Sequence, residues 1–209
     1  ILAKKIIKSK KYGKLINLKG LYGKSKIILF KGQWRSKKSI AGGGILLDQG
    51  IHLLDIMRFF CGGFNEIKSL VSNNYWKHEV EDNAYVIMRS HKKVVAMVHS
   101  TATQWQHQFR IEITLEKALI NLSGILSGSK TYGKEKIEIQ PKFSKRKNNR
   151  VIKFQKDLSW EREVKEYVNC IRHNKKIYNG TIYDAIEVMK MIDIIYKSDS
   201  EWRKKFFSS

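Results

Sequence analysis

Apolar and polar positions along this chain change their period four times. Ile1-Leu2-Ala3-Lys4-Lys5-Ile6-Ile7-Lys8 spaces its apolar residues along one side, which predicts an amphipathic helix met part-way along. Lys14 to Tyr22 alternates as a strand does. A glycine-rich, basic loop carrying Trp34-Arg35 follows, and Gly42-Gly43-Gly44 then opens an apolar segment. That segment predicts a helix from about Ile45 to Cys61, stopped by Gly62-Gly63. Between 64 and 140 the period falls to two. Strands are predicted at Ile67–Tyr75, Ala84–Ser90, Val94–Thr103, Phe109–Leu115, Leu119–Leu122 and Lys136–Gln140, with His91-Lys92-Lys93 as a polar hairpin connection. The end of the chain is helical again. Ser159 is placed to cap a helix to about His173, and Thr181-Ile182-Tyr183-Asp184 is a capping box for another to about Lys197.

Consecutive strands on short connections predict an α+β fold: a mostly antiparallel open sheet with helices on one face. We find no internal repeat and no domain-scale linker, so residues 1–209 are expected to form a single domain. Within it, 1–13 is the tail of a linking helix, 14–140 the glycine-led helix and the sheet, 141–158 a basic loop and strand, and 159–209 the C-terminal helices. An apolar fraction of 42% with five Trp is enough to fill a core. A membrane-spanning helix is not expected, because no run of roughly 18 apolar residues occurs. The opening residues do not resemble a secretory signal, and they read as part of a longer protein. Cys61 and Cys170 form no CxxC pair and read as reduced thiols in the cytoplasm.

The net charge of +22 invites a nucleic-acid partner, but the excess is mostly lysine spread along the chain, whereas base readers favour arginine. The dense run Lys142-Phe143-Ser144-Lys145-Arg146-Lys147-Asn148-Asn149-Arg150 reads as a solvated loop. As a phosphate-binding patch it would need a groove with aromatic platforms. Neither nucleic acid nor a membrane is expected as a partner. The charge would still attract an anionic substrate such as a nucleotide-linked sugar.

Candidate chemistry concentrates on the glycine-led helix. Spacings of four and three place Asp48, His52 and Asp55 along one stripe of an apolar segment, where polar groups cost free energy unless paired. Asp48 falls in the first turn, where the helix dipole favours a negative charge. Gly43 and Gly44 would let backbone and ligand come close. His52 brings an imidazole, the side-chain type that suits a general acid or base for a substrate hydroxyl, with Asp55 holding its tautomer from behind. The plainer reading makes Asp48 a helix-end charge and His52 a core histidine. No further His or Cys completes a ligand set, so no metal is expected.

The pattern Gly-Gly-Gly, Asp48-Gln49-Gly50, His52, Asp55 resembles the signature of the Gfo/Idh/MocA family of glucose-fructose oxidoreductase and inositol dehydrogenase. Tyr12-Gly13-Lys14, Trp34-Arg35, Val80-Glu81-Asp82-Asn83-Ala84, and Asn179-Gly180-Thr181 with Asp184-Ala185 agree with it. Ile113 to Ala118 departs from it, lacking the glycines of a Gly-Glu-Lys-Gly turn. The resemblance implies the substrate half of an NAD- or NADP-dependent sugar, nucleotide-sugar or cyclitol dehydrogenase, of the kind found in surface-polysaccharide pathways. The Rossmann half is absent, since no GxGxxG follows a strand and no Glu-Lys-Pro occurs. It further implies that His52 exchanges the proton of the alcohol, that Asp48 bonds substrate or histidine, and that the chain alone does not turn over.

Arg35 is a candidate grip for a carboxylate or phosphate, Trp34 a wall beside it, and Trp105 and His107 candidates for the substrate pocket. Each is equally at home as an anchor or interface residue. His99 sits equally well in a core or a pocket; His78, His91 and His173 read as surface residues, and Trp76 and Trp160 as packing. An open sheet face implies a homodimer or homotetramer, with Ala96, Val98, Tyr85 and Ile87 as the first places to look. The alternative function is a catalytically silent binding or oligomerisation module of the same fold.

Overall fold

The computed structural model describes residues 1–25, 34–126, 131–145, 148–177 and 180–207. Arg146 and Lys147 of the basic run, and Asn179, lie outside the described residues.

Alternating side chains give eight strands: β1 (Leu15–Gly23), β2 (Phe64–Ser72), β3 (Asn83–Ser90), β4 (Val95–Thr101), β5 (Gln108–Leu115), β6 (Ala118–Ser123), β7 (Lys136–Pro141) and β8 (Arg150–Lys153). They form one open sheet in the order β2-β3-β4-β1-β5-β6-β7-β8. The sheet is mostly antiparallel, as expected, with one parallel pair. β1 runs parallel to β4, with Asn17 opposite Val95 and Gly23 opposite Thr101. The chain leaves β1 through helices and the β2–β3 hairpin before β4 arrives beside it, and a long crossover of that kind is what parallel pairing requires.

The inner face carries the core. Val86, Met88, Ala96, Val98, Ile111, Ile113 and Ile120 point inward from the central strands and are essentially inaccessible. Above them, after α1 (Leu2–Lys8) and the short α2 (Lys38–Ala41), lies α3 (Ile51–Cys61), which buries Leu53, Leu54, Met57 and Cys61. Each such side chain stabilises the fold by roughly 1.5–3 kcal/mol. Gly20 makes the close crossing possible, because a Cβ there would stand 2.5 Å from the Met57 terminal methyl and 2.9 Å from Leu53. α5 (Ile182–Ser198) buries Val188, Met191, Ile192, Ile195 and Tyr196 in the same core, and α6 (Ser200–Phe207) adds Trp202 and Phe206.

Four expectations change. Ala96 and Val98 belong to the core, and the residues that leave the outer face are Val95 and Met97, beside Tyr85 and Ile87. A slip of one position in a two-residue period exchanges the faces of a strand. Ser159 is the first residue of α4 (Ser159–Arg172) rather than its cap; Asp157 accepts from both its amide, at 2.9 Å, and its hydroxyl, at 2.7 Å. Trp160 does not pack: α4 buries none of its residues, and Trp160, Val164, Tyr167 and Ile171 form an exposed apolar stripe. The helical stretch Lys38–Cys61 is long and apolar enough by composition to cross a membrane, although Leu46, Leu53, Leu54 and Met57 within it are buried in the core. The capping box of α5 forms as expected, with the Thr181 hydroxyl accepting from the Asp184 amide at 3.2 Å and the Asp184 carboxylate accepting from the Thr181 amide at 3.1 Å.

Candidate functional site

The helix bearing Asp48 and His52 opens with a π turn, Leu46–Gly50, before continuing as α3. Such turns are rare and recur at functional sites. What holds it is Glu81, fully buried at the approach to β3. Its carboxylate accepts from the amides of Gly44 at 2.8 Å and Leu46 at 2.9 Å, and from the Tyr196 hydroxyl at 2.8 Å. The Glu81 carbonyl also takes the Ile45 amide at 3.1 Å. Burial raises the Glu81 carboxyl above its ordinary range, against the pull of these donors. Three otherwise orphaned donors are thereby satisfied.

The glycine run serves this contact. A Cβ on Gly44 would lie 2.1 Å from the Glu81 carbonyl oxygen, and one on Gly43 would lie 2.4 Å from the Tyr196 hydroxyl. The close approach expected of a ligand is made instead by the protein's own backbone. Nor does the run act as a pyrophosphate turn, and the described residues contain no other glycine-rich strand-to-helix turn for a dinucleotide.

Asp48 sits in the π turn, its side chain 36% exposed. Its Oδ2 accepts from Lys24 Nζ at 3.3 Å and from Gln49 Nε2 at 3.1 Å. His52 follows one turn on with an exposed imidazole, so it is not a core histidine. Asp55 turns away: its contact is Arg58, at 3.9 Å, and Arg58 reaches on to Asp184 at 3.5 Å. Partial burial, helped by the charge of Asp184, raises the Asp55 carboxyl, while Arg58 and His52 oppose the rise. The tautomer-holding bond expected from Asp55 to His52 is replaced by a tie between α3 and α5.

The remaining candidates gather at the same end of the sheet, where β1 and β4 finish and β3 and β5 begin. The Lys24 amide donates to Thr101 at 2.8 Å, and its carbonyl accepts from Gln104 at 2.9 Å, which anchors the segment bearing Trp105 and His107. Trp105 is exposed and packs edge-on to Tyr75, with ring centres 5.0 Å apart. His107 lies edge-on to Tyr132, at 5.1 Å, and Tyr132 meets Tyr22 at 5.4 Å. The Tyr132 hydroxyl is buried, with no hydrogen bond of standard geometry among the described residues, and the Tyr22 ring stands beside it. Burial raises both phenols, and the charge of Asp48 adds to the rise. Trp34 and Arg35 form a short 3-10 turn with the guanidinium 4.2 Å over the indole. That turn is fastened near Glu81, since the Glu79 amide donates to Ser36 at 3.2 Å and the Glu79 carboxylate accepts from Lys38 at 2.9 Å.

The polar hollow lined by His107, Arg110, Asn121, Tyr132 and Glu138 does not reach Asp48 or His52. His99 lies half-buried on the outer face, stacked on Tyr85 at 4.0 Å and bonded to Asn83 at 3.2 Å. His78 is half-buried rather than a surface residue. Among the described residues no group of His, Cys, Asp and Glu is arranged to hold a metal. Sequence reasoning missed Lys24, Tyr22 and Tyr132, and it passed over what Glu81 does. A lysine among so many others gave no signal, whereas an acid beginning a strand after the apolar Val80 was a visible one.

A profile of the GFO/IDH/MocA C-terminal domain matches residues 1–121. No curated protein matches the sequence. Among solved structures, a protein assigned as an NADPH-dependent oxidoreductase from Desulfitobacterium hafniense superposes with a TM-score of 0.78 at 17% identity, covering 96% of this chain and 59% of its own. Levoglucosan dehydrogenase in complex with NADH and levoglucosan gives 0.74 at 18% identity, with 96% and 60% covered. KijD10, a 3-ketoreductase from Actinomadura kijaniata in complex with NADP and TDP-benzene, gives 0.76 at 10% identity, with 95% and 58% covered. The chain thus spans less than two thirds of the length of these structural neighbours. With most of its length matched by that profile, the chain belongs to the GFO/IDH/MocA family and carries its C-terminal domain.

Proposed function

We propose that this chain is the substrate-binding half of an NAD- or NADP-dependent oxidoreductase that acts on a hydroxyl of a sugar, nucleotide-sugar or cyclitol. The observation that carries the reading is an exposed imidazole, His52, one turn from a carboxylate, Asp48, that a buried lysine holds in place at the open end of the sheet. Oxidation of an alcohol sends hydride from carbon to the nicotinamide and a proton from oxygen to a base. The described residues hold no dinucleotide turn, so the nicotinamide belongs to the part of the protein that the structural neighbours have beyond the matched region.

On this chain the work is acid and base chemistry. His52 takes the hydroxyl proton in oxidation and returns it in reduction; Asp48 orients the hydroxyl or the imidazole. Trp34, Arg35, Trp105 and His107 border the same end and are assigned to substrate contact. The basic surface and the TDP-benzene of one structural neighbour favour a nucleotide-linked sugar, as in surface-polysaccharide synthesis in the cytoplasm. The exposed outer-face residues Leu70, Tyr85, Ile87, Val95 and Met97 are adjacent across β2, β3 and β4 and are assigned to a homodimer or homotetramer contact. A monomer in light scattering at micromolar concentration would overturn that assignment.

The test of the reaction is turnover of a sugar, polyol and nucleotide-sugar panel with NAD⁺ and NADP⁺, and of the matching keto compounds with NADH and NADPH, by the protein that carries this chain. His52→Ala is expected to lower kcat roughly 10²–10⁴-fold. Unchanged turnover in that variant would remove the acid-base role. A wild-type protein inert to every substrate, yet binding one, would leave the silent module.

A further inference from the structure

Lys24 stands just past the end of β1 with both backbone groups engaged, its amide to Thr101 and its carbonyl to Gln104. Its side chain is only 11% exposed, yet it ends in an ammonium. A lysine so enclosed is costly unless a counter-charge meets it. The counter-charge is Asp48, whose Oδ2 lies 3.3 Å from Nζ. Gln49 Nε2 donates to the same oxygen at 3.1 Å. Both donors therefore fall on Oδ2, and Oδ1 keeps no partner among the described residues. Among the described residues, the charged and titratable groups around that carboxylate include Lys24 from the end of β1, His52 one turn on along its own helix, and the phenols of Tyr22 on β1 and Tyr132 before β7.

We propose that Lys24 is the positioning residue of this site: it fixes Asp48 by one oxygen so that the other is presented, always in one orientation, to the substrate hydroxyl. This rests on the oxidoreductase reading above. Lys24 is not itself a substrate contact, being enclosed behind the carboxylate. A rigid anchor from the sheet explains why a carboxylate on an irregular π turn can be placed at all. A long side chain fixed at its backbone and paired at its tip leaves the acid little rotational freedom.

The test uses the whole protein carrying this chain, with Lys24→Met, Lys24→Arg, Asp48→Asn and the Lys24→Met/Asp48→Asn pair. A side-chain ¹⁵N–¹H spectrum should show a slowly exchanging Lys24 ammonium, assigned by its loss in Lys24→Met, and that signal should vanish or broaden in Asp48→Asn. If no such signal exists, or Asp48→Asn leaves it untouched, the pairing is wrong whatever the enzyme does. In turnover, Lys24→Met should lower kcat roughly tenfold to hundredfold with KM nearly unchanged, as a misplaced group does. Lys24→Arg should recover most of the loss, and the double variant should be no slower than Asp48→Asn alone. Full kcat in Lys24→Met, or losses that multiply in the double variant, would overturn the positioning role. If the wild type oxidises or reduces nothing, the oxidoreductase reading fails by itself, while the ammonium signal still decides the pairing.

Discussion

The two ends of one helix hold nearly the same groups and use them differently. At its start Asp48 meets an enclosed lysine; near its finish Asp55 meets Arg58, whose side chain is 14% exposed. The lower cation is shared. Arg58 reaches Asp55 and the carboxylate of Asp184, and it donates to the Asp184 carbonyl at 3.3 Å, so its capacity goes to joining α3 to α5. The upper pair is not saturated, since one oxygen of Asp48 is left over among the described residues. Charge and spacing are shared by the two ends, and unused bonding capacity separates them. On the function proposed above, the incompletely satisfied group at the open end of the sheet is the one assigned the chemistry.

The largest expected effect tests that contrast directly. Asp48→Asn should lower turnover by roughly 10²-fold, as loss of a group aligned with the reacting atoms does, whereas Asp55→Asn should leave it within about twofold. Equal losses at the two positions would erase the distinction. Next comes the support beneath the upper end. Glu81→Ala strands the amides of Gly44 and Leu46 and the Tyr196 hydroxyl, and orphaned buried donors at 1–3 kcal/mol each, less the relief of a buried charge, give about 3 kcal/mol in urea unfolding. The pH slope carries a sign. Because the folded Glu81 carboxyl is raised, the native state holds that proton more tightly than the unfolded chain. This contribution is therefore fully present below the ordinary carboxylate value and is lost as pH rises through the raised folded value. Glu81→Gln should flatten that decline.

Smaller again is a pair of glycine substitutions at the two ends. Gly44→Ala drives a methyl into backbone, 2.1 Å from the Glu81 carbonyl oxygen, so the π turn must move; about 2 kcal/mol is expected, with a fall in kcat as Asp48 is displaced. Gly62 has φ +82 and ψ −157, a conformation open essentially to glycine alone, and open space around it, so Gly62→Ala meets only backbone strain, about 1–3 kcal/mol, and turnover should persist. If Gly62→Ala were the more damaging for kcat, the functional end of the helix would be misassigned.

Much of this was legible in the sequence, for identifiable reasons. Period-two alternation and the Gly62-Gly63 stop depend on local rules, so the strands, the helix and the capping box of α5 fall close to where they were expected. Tertiary choices did not show. The parallel pairing of β1 with β4 depends on which edge a returning strand finds, and the outward set on β4 turned on a single position of register. The stripe of Asp48, His52 and Asp55 was visible as a spacing, but spacing does not say which cation lies opposite. Lys24 and Arg58 come from 24 residues before Asp48 and from the next turn after Asp55, and only packing selects them. The glycines were read as room for a ligand because their neighbour, Glu81, is far away in sequence.

The smallest effect sharpens the lower end of the comparison. Asp184 is held below the usual carboxylate range chiefly by the Thr181 hydroxyl, then by the Thr181 amide, with Arg58 assisting. A depressed carboxyl contributes stability that is present above its unfolded value and disappears as pH falls through its folded one. Thr181→Ala removes the leading cause and a helix cap together, so about 1 kcal/mol should be lost at neutral pH. Once acid has protonated Asp184 in both states, the gap between variant and wild type should narrow, and a thermal-unfolding series against pH would show it. A gap that widens in acid would mean that the hydroxyl acts on some other group. Turnover of the variant should match the wild type at every pH where both are folded, because nothing in the Thr181, Asp184 and Arg58 tie reaches Asp48, and a shifted pH–rate profile would show that the two ends of the helix work as one unit after all.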